Sequence, residues 1–401
     1  MIILVINCGS SSIKYQLYDM KGDRDFAVLA KGLVEKIGLP SGIITHRPSG
    51  KDKLVKELPI PDHSVGMRLV MDALVDPVHG VLRSFDDVEA VGHRIVQGAD
   101  FFDGSCLVDD EVLRKIEICC DFAPLHNPAH LLGIHAISKV LPHTPQVVVF
   151  DTAFHQTMPD YAYMYALPYE YYTKYHVRRY GAHGTSHQFV SRKGAEFAGI
   201  DLAHSRIITC HIGNGSSVTA VKDGKCIDTS MGFTPLEGMI MGTRCGNVDC
   251  NVIPYIMKKE GLSPDEMTTI MNKKSGFLGL SGISSDCRDM NEAAAAGNPR
   301  AILVRNKLTY DIVKLIGAYT AALNGVDLIV FTAGIGEHNP WLRADICKSL
   351  GYLGVEIDEA ANAAAEGNTM LSTPASKVKV ALIPTEEELM IARDTMHIVA
   401  K

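Results

Sequence analysis

The stretch Leu4-Val5-Ile6-Asn7-Cys8-Gly9-Ser10-Ser11-Ser12-Ile13-Lys14-Tyr15-Gln16-Leu17-Tyr18 passes from an apolar run through a Gly/Ser turn into an alternating run. Half a chain later the layout returns as Ile207-Ile208-Thr209-Cys210-His211-Ile212-Gly213-Asn214-Gly215-Ser216-Ser217-Val218-Thr219-Ala220-Val221. Each copy reads as a β-hairpin with a polar tip, since apolar strands are turned where Gly and Ser relieve the backbone. The second copy is followed by the turn Lys222-Asp223-Gly224-Lys225 and a further strand. A unit that occurs twice predicts two similar domains facing each other.

The rest of the chain agrees with an α/β architecture. Gln146–Phe150 and Asp327–Phe331 are apolar, strand-like runs, and helical patterns alternate with them. Arg305 to Leu323 places Leu308, Ile312, Leu315, Ile316 and Tyr319 on one helical face. Glu387 to Val399 reads as a closing helix, with Ile383-Pro384-Thr385 as the preceding strand end and cap. The length of 401 residues exceeds what a single core usually supports, and 46% hydrophobic residues exclude a disordered chain. With 39 Lys+Arg against 46 Asp+Glu the net charge is -7, which argues against nucleic acid as a partner. The apolar start breaks after six residues without a basic flank, so neither a signal peptide nor a membrane span is expected. The ten cysteines show no C-x-x-C spacing and read as reduced thiols of a cytoplasmic protein.

Three Gly-rich turns could carry chemistry: Gly9-Ser10-Ser11-Ser12, Gly213-Asn214-Gly215-Ser216-Ser217 and Ala333-Gly334-Ile335-Gly336-Glu337. Any one alone is an ordinary turn; together they suggest a phosphate clamp between domains, although none is a P-loop or a dinucleotide fingerprint. Arg94 and Arg244 sit among apolar and Gly-rich residues, where a guanidinium needs an anion, either a ligand or a structural carboxylate. Asp151 follows the Gln146–Phe150 strand, at the end where open α/β sheets bind ligands, and could hold Mg2+, position a substrate or cap a turn. His126 with His130, and His183 with His187, have a zinc-like i, i+4 spacing, but no H-E-x-x-H is present and Gly184 disfavours a helix. The run Arg178 to His187 reads instead as a glycine-hinged loop presenting His183.

In order and nearly end to end, these residues resemble the acetate kinase family, with propionate and butyrate kinases as near relatives and with sugar kinases, actin and heat-shock chaperone ATPases in the same superfamily. The matching segments are Asn7 to Lys14, Gly92-His93-Arg94, Pro124 to Pro128, Phe150 to His155, Arg179 to His187, His211 to Gly215, Met241 to Arg244, Asp286 to Asp289, Gly334 to Glu337 and Glu387 to Leu389. The resemblance implies a duplicated ribonuclease-H-like, actin-like ATPase fold with the active site in an interdomain cleft. Its domains would be 1–150 plus the returning helix of 383–401, and 151–382. It also implies a homodimer and reversible phosphoryl transfer from ATP to acetate, giving acetyl phosphate and ADP, with Mg2+ or alternatively Mn2+.

By the same resemblance, Asn7 and Glu387 lie near the metal and Lys14 near the nucleotide phosphates. Arg94 binds the substrate carboxylate, Asp151 is the catalytic carboxylate, and His183 with Arg244 stabilises the transferring phosphoryl group. Val96, Leu125, Ala182 and Pro235 form the pocket for the acyl methyl group. His211, Ile212, Gly213, Asn214 and Gly215 line the ATP site, with Asp286, Cys287, Arg288, Gly334, Ile335, Gly336, Glu337 and His338. The chain departs from the family pattern at Ala182, where Phe is common, and at Gln97, His338, Glu386 and Cys250. Loss of an aromatic ring at Ala182 predicts an enlarged acyl pocket and use of propionate. The competing readings are a propionate- or butyrate-preferring kinase and an actin-like or chaperone-like nucleotide switch.

Overall fold

In a computed structural model of the chain, residues 1–124 and 126–400 are described; Leu125, expected in the acyl pocket, lies outside them. The chain divides into two compact units, Met1–Phe154 with Glu386–Lys401, and His155–Thr385.

The first unit holds an eight-stranded sheet built from β1 (Ile2–Gly9), β2 (Ser12–Met20), β3 (Phe26–Glu35), β4 (Gly42–Pro48), β5 (Leu54–Leu58), β6 (Ala90–Ile95), β7 (Cys106–Leu107) and β8 (Gln146–Phe150), in the order β5-β4-β3-β2-β1-β6-β8-β7. β1 pairs antiparallel with β2 and parallel with β6, and β6 pairs parallel with β8. The first hairpin turns between Gly9 and Ser12, and its tip is anchored where His63 Nε2 donates to the Gly9 carbonyl at 2.7 Å. The helix Glu387–Val399 packs on β6, β1 and β8. Gly92 permits that approach, because a Cβ there would stand 2.6 Å from Ile391 Cγ2.

The second unit holds β9 (Arg206–Ile212), β10 (Ser216–Lys222), β11 (Lys225–Thr229), β12 (Leu328–Thr332), β13 (Thr369–Met370) and β14 (Lys379–Leu382), in the order β11-β10-β9-β12-β14-β13. Strand for strand this repeats β3-β2-β1-β6-β8-β7, with the same parallel and antiparallel pairings. The fold is therefore the duplicated ribonuclease-H-like arrangement that the paired hairpins foreshadow. The helix Gly184–Ala198, the third α-helix after β8, packs on β9, β12 and β14, as Glu387–Val399, after β14, packs on the first sheet.

Several local expectations differ from the structure. Helix Pro299–Leu323 starts six residues before Arg305, because Asn298 caps the backbone N–H groups of Arg300 and Ala301 and Pro299 takes the first helical position. His187 lies in the first turn of Gly184–Ala198, not in a loop; glycine at a first helical position costs little when the helix is packed on a sheet. Ala333–His338 is a short helix and not an open turn, entered through Ala333 at φ +63°. The last helix has Glu386 rather than Thr385 at its cap, with no side-chain capping bond.

Candidate active site

In the first unit three side chains stand at the carboxyl ends of adjacent parallel strands: Asn7 on β1, Arg94 on β6 and Asp151 just after β8. Register places them side by side, since Ile6 pairs with His93, Arg94 with Val149, and the Asp151 N–H donates to the Ile95 carbonyl at 2.9 Å. Arg94 is half-buried and Asp151 fully buried. The guanidinium grips the carboxylate with both prongs, Nε to Oδ1 at 3.0 Å and Nη2 to Oδ2 at 2.6 Å. Glu387 Oε2 lies 4.0 Å from Arg94 Nε, and Lys14 pairs with Glu388. Burial opposes the charge of Arg94, but Asp151 and Glu387 outweigh it and raise its pKa. Glu387 is pushed up to about 7, first by burial and then by Asp151 and Glu388, against the pull of Arg94 and Lys14. The cluster is thus short of positive charge.

Val96 and Gln97 follow β6 and are buried; the Val96 N–H donates to His130 Nδ1 at 3.4 Å, and Gln97 exchanges backbone bonds with the Asn127 amide.

In the second unit, the strap before Gly184–Ala198 is tied down residue by residue. Arg179 Nη1 donates to the Thr229 carbonyl at 2.8 Å and Nη2 to Glu237 at 2.6 Å, while the Gly181 N–H donates to the Gly232 carbonyl at 3.1 Å. His155 Nε2 donates to the Ala182 carbonyl at 3.0 Å. His183 then caps the helix in a left-handed conformation, φ 59° and ψ 22°, that an L-residue holds only when its surroundings insist. Its ring stacks on His211 at 4.1 Å and its Nδ1 is hydrogen-bonded to Ser217 Oγ at 2.8 Å.

Arg244 lies in a loop whose backbone is clamped. Met241 N–H donates to the Arg244 carbonyl at 3.2 Å, Phe277 N–H to the Met241 carbonyl at 2.9 Å, and Ser275 N–H to the Thr243 carbonyl at 3.0 Å. Among the described residues the half-buried guanidinium donates to a carbonyl and a thioether, Pro235 O at 3.0 Å and Met241 Sδ at 3.8 Å from Nη1. Burial lowers its pKa, and no carboxylate pairs with it among the described residues. Gly215 is what lets the two side chains converge: a Cβ there would stand 3.3 Å from Arg244 Nη1 and 3.6 Å from His183 Nε2. A half-buried cation with no carboxylate partner among the described residues, next to an imidazole edge and a glycine hairpin tip, can receive an anion.

The remaining expected nucleotide residues fall in three segments of the second unit. His211 and Ile212 end β9, and Gly213, Asn214 and Gly215 form the tip, with the Gly242 N–H donating to the Asn214 carbonyl at 3.1 Å. Gly334, Ile335, Gly336, Glu337 and His338 belong to the short helix after β12. Asp286 caps helix Cys287–Ala295 and pairs with Arg288 at 2.6 Å, which holds its pKa down to about 2. Cys287 is buried in the apolar core, its Sγ 3.9 Å from Asn339 Oδ1. Ala182 packs with Met231 and Met241 in a small buried cluster, so thioethers fill the space beside it.

Arg343 is a supporting residue that sequence reasoning missed. Nearly fully buried, it donates from Nη1 to the Gly336 and Glu337 carbonyls, both at 2.7 Å, and from Nε to Asn362 Oδ1 at 2.8 Å. It thereby closes the carboxyl end of the short helix after β12. The apolar setting of Arg94 and Arg244 drew attention to them; Arg343, in Trp341-Leu342-Arg343-Ala344-Asp345, looks like an ordinary exposed helical position.

The Acetokinase family model matches residues 2–393. The chain belongs to the acetokinase family. Among its acetokinase relatives, the acetate kinase of Phocaeicola vulgatus is 54% identical over 401 residues, covering 100% of both chains. That of Thermotoga maritima is 55% identical over 406 residues, covering 100% of this chain and 99% of its own. Among solved acetokinase structures, Porphyromonas gingivalis acetate kinase superposes with TM-score 0.93 at 47% identity, covering 99% of each chain. A propionate kinase from Francisella tularensis gives 0.91 at 40% identity, again covering 99% of each. No helix among the described residues is long and apolar enough to cross a membrane.

Proposed function

We propose that the chain catalyses reversible transfer of the γ-phosphoryl group of ATP to acetate, forming acetyl phosphate and ADP. The observation that carries this reading is Arg244, a half-buried guanidinium with no anionic partner among the described residues, set with His183 around the open face of Gly215. Acetate is ionised at neutral pH, so its carboxylate oxygen attacks phosphorus directly; the bond to the β-γ bridging oxygen breaks and its electron pair leaves with ADP. No proton need be removed. Asp151, whose two oxygens are engaged by Arg94, is a positioning group for the arginine rather than a base. Arg94 keeps Nη1 for the acid's carboxylate, and Arg244 with His183 spreads the charge of the transferring group.

Mg2+ fits the first unit by donor chemistry. Asn7 offers an amide oxygen and Glu387 a carboxylate, whose pKa is raised first by burial and then by Asp151 and Glu388, so a cation beside it would favour its charged form. Mg2+ commonly takes one or two carboxylates and completes its shell with water and phosphate. When bound, it would neutralise phosphate charge; Asn7 and Glu387 would hold it. The ten free thiols suit a reducing compartment, and the exposed Tyr161, Tyr169 and Tyr175 offer an aromatic face for the expected homodimer.

A second reading, use of a longer acid, requires Met231 and Met241, which pack against Ala182, to yield to the longer chain. A hydroxamate assay with ATP, Mg2+ and acetate, propionate or butyrate tests both. Acetyl hydroxamate is expected, with kcat/KM for propionate within roughly tenfold of acetate. Absence of acyl phosphate from every acid would leave the nucleotide-switch reading instead.

A further inference from the structure

Four side chains of the second unit form a continuous hydrogen-bonded row that ends at His183. Thr209 Oγ1 lies 2.7 Å from His187 Nδ1, and His187 Nε2 lies 2.7 Å from Ser217 Oγ. The same Ser217 oxygen lies 2.8 Å from His183 Nδ1. Thr209, His187 and Ser217 are all 0% exposed, so bulk water completes no bond along the row. Burial first, then the nearby His155 and His211, drives the His187 pKa well below 6.5. Its ring is therefore neutral, with one nitrogen donating and the other accepting.

The direction of the row is decided at its far end. Thr209 Oγ1 makes no other hydrogen bond among the described residues. If His187 donated to it, the threonine's hydroxyl hydrogen would be stranded in the core, an arrangement folded proteins avoid. Thr209 must then donate to His187 Nδ1, His187 Nε2–H to Ser217 Oγ, and Ser217 its single hydrogen to His183 Nδ1. We propose that Thr209, His187 and Ser217 are positioning residues that hold His183 as the neutral tautomer with its hydrogen on Nε2.

That nitrogen is the one beside Gly215, where a Cβ would stand 3.6 Å from it and 3.3 Å from Arg244 Nη1. An Nε2–H donates to a phosphoryl oxygen without placing a second cation against Arg244. The opposite tautomer would aim a lone pair at an anion. The stacked His211 ring at 4.1 Å and the left-handed backbone of His183 keep the ring plane fixed while the row fixes the hydrogen. The proposal rests on phosphoryl transfer at this site, but its primary test does not depend on turnover.

Long-range 1H–15N correlation spectra of 15N-histidine-labelled protein, with His183 assigned through His183→Gln, should show hydrogen on Nε2 and a bare Nδ1 at neutral pH. An Nδ1–H tautomer or an imidazolium there overturns the proposal, whatever the hydroxamate assay shows. Thr209→Val should lower kcat roughly tenfold to a hundredfold with the KM values for ATP and acetate little changed, and Thr209→Ser should restore it. A folded Thr209→Val enzyme with normal kcat also overturns it; if that variant fails to fold, the spectrum of the unaltered protein still decides.

Discussion

Arg94 holds both carboxylate oxygens of Asp151, at 3.0 and 2.6 Å, at the carboxyl ends of two neighbouring parallel strands. The pair spends the Nε edge of the guanidinium on an internal partner. Asp151→Asn keeps the shape but cancels the charge, releasing Arg94 toward an incoming carboxylate. Acetate KM should fall or stay level while kcat drops by at least about a hundredfold, because the arginine is no longer aligned. A kcat near normal would remove Asp151 from the mechanism.

Arg244 offers the reverse case, a cation whose protein partners are a carbonyl and a thioether. Arg244→Ala should therefore leave the thermal midpoint within a few degrees while kcat falls roughly a hundredfold to a thousandfold, as for loss of one donor to a charge that develops during reaction. Near-normal turnover in the purified variant would refute its assigned role.

Gly215→Ala tests the convergence itself. The new methyl would stand 3.3 Å from Arg244 Nη1, tighter than almost all real Cβ contacts, so the guanidinium must yield by a few tenths of an ångström. A loss of about tenfold in kcat with unchanged unfolding is expected, since displacements of this size matter at reacting centres.

Stability should fall in mild acid through His93. Burial pushes its pKa down to about 4, with its bond to Gln146 at 2.8 Å pulling weakly the other way. Below about pH 6.5 the unfolded chain takes up a proton that the folded chain refuses until about pH 4, so the contribution is intact above this window and lost on descending through it. The loss is on the order of 3 kcal/mol. His93→Gln should flatten the urea midpoint between pH 6.5 and 4; an unchanged slope would assign the acid sensitivity elsewhere.

The hairpins were legible in the sequence because strand periodicity and Gly/Ser tips are local signals, and their recurrence carried the duplication. Helix boundaries were less so. Gly184 discouraged a helix that packing on β9 and β12 stabilises anyway, and Asn298-Pro299 marked a start that the apolar spacing from Leu308 did not reveal. At the site, residue types could be chosen from the chain, but pairing could not. Arg94 and Arg244 sit in similar apolar, Gly-rich contexts, yet among the described residues one has a carboxylate and the other none. Thr209, His187 and Ser217 come from a strand, a helix and a second strand, so no sequence window contains their row.

The helix that covers β6 and β1 is also the last described segment to be synthesised. While the whole of His155–Thr385 is being translated, the first sheet has one apolar face without its cover. A nascent first half is thus an adhesive, unfinished object, whatever the quality of its own residues. Nonsense mutations throughout the second half should spoil the first half as well, and the cell has reason to shield this chain until that helix is made.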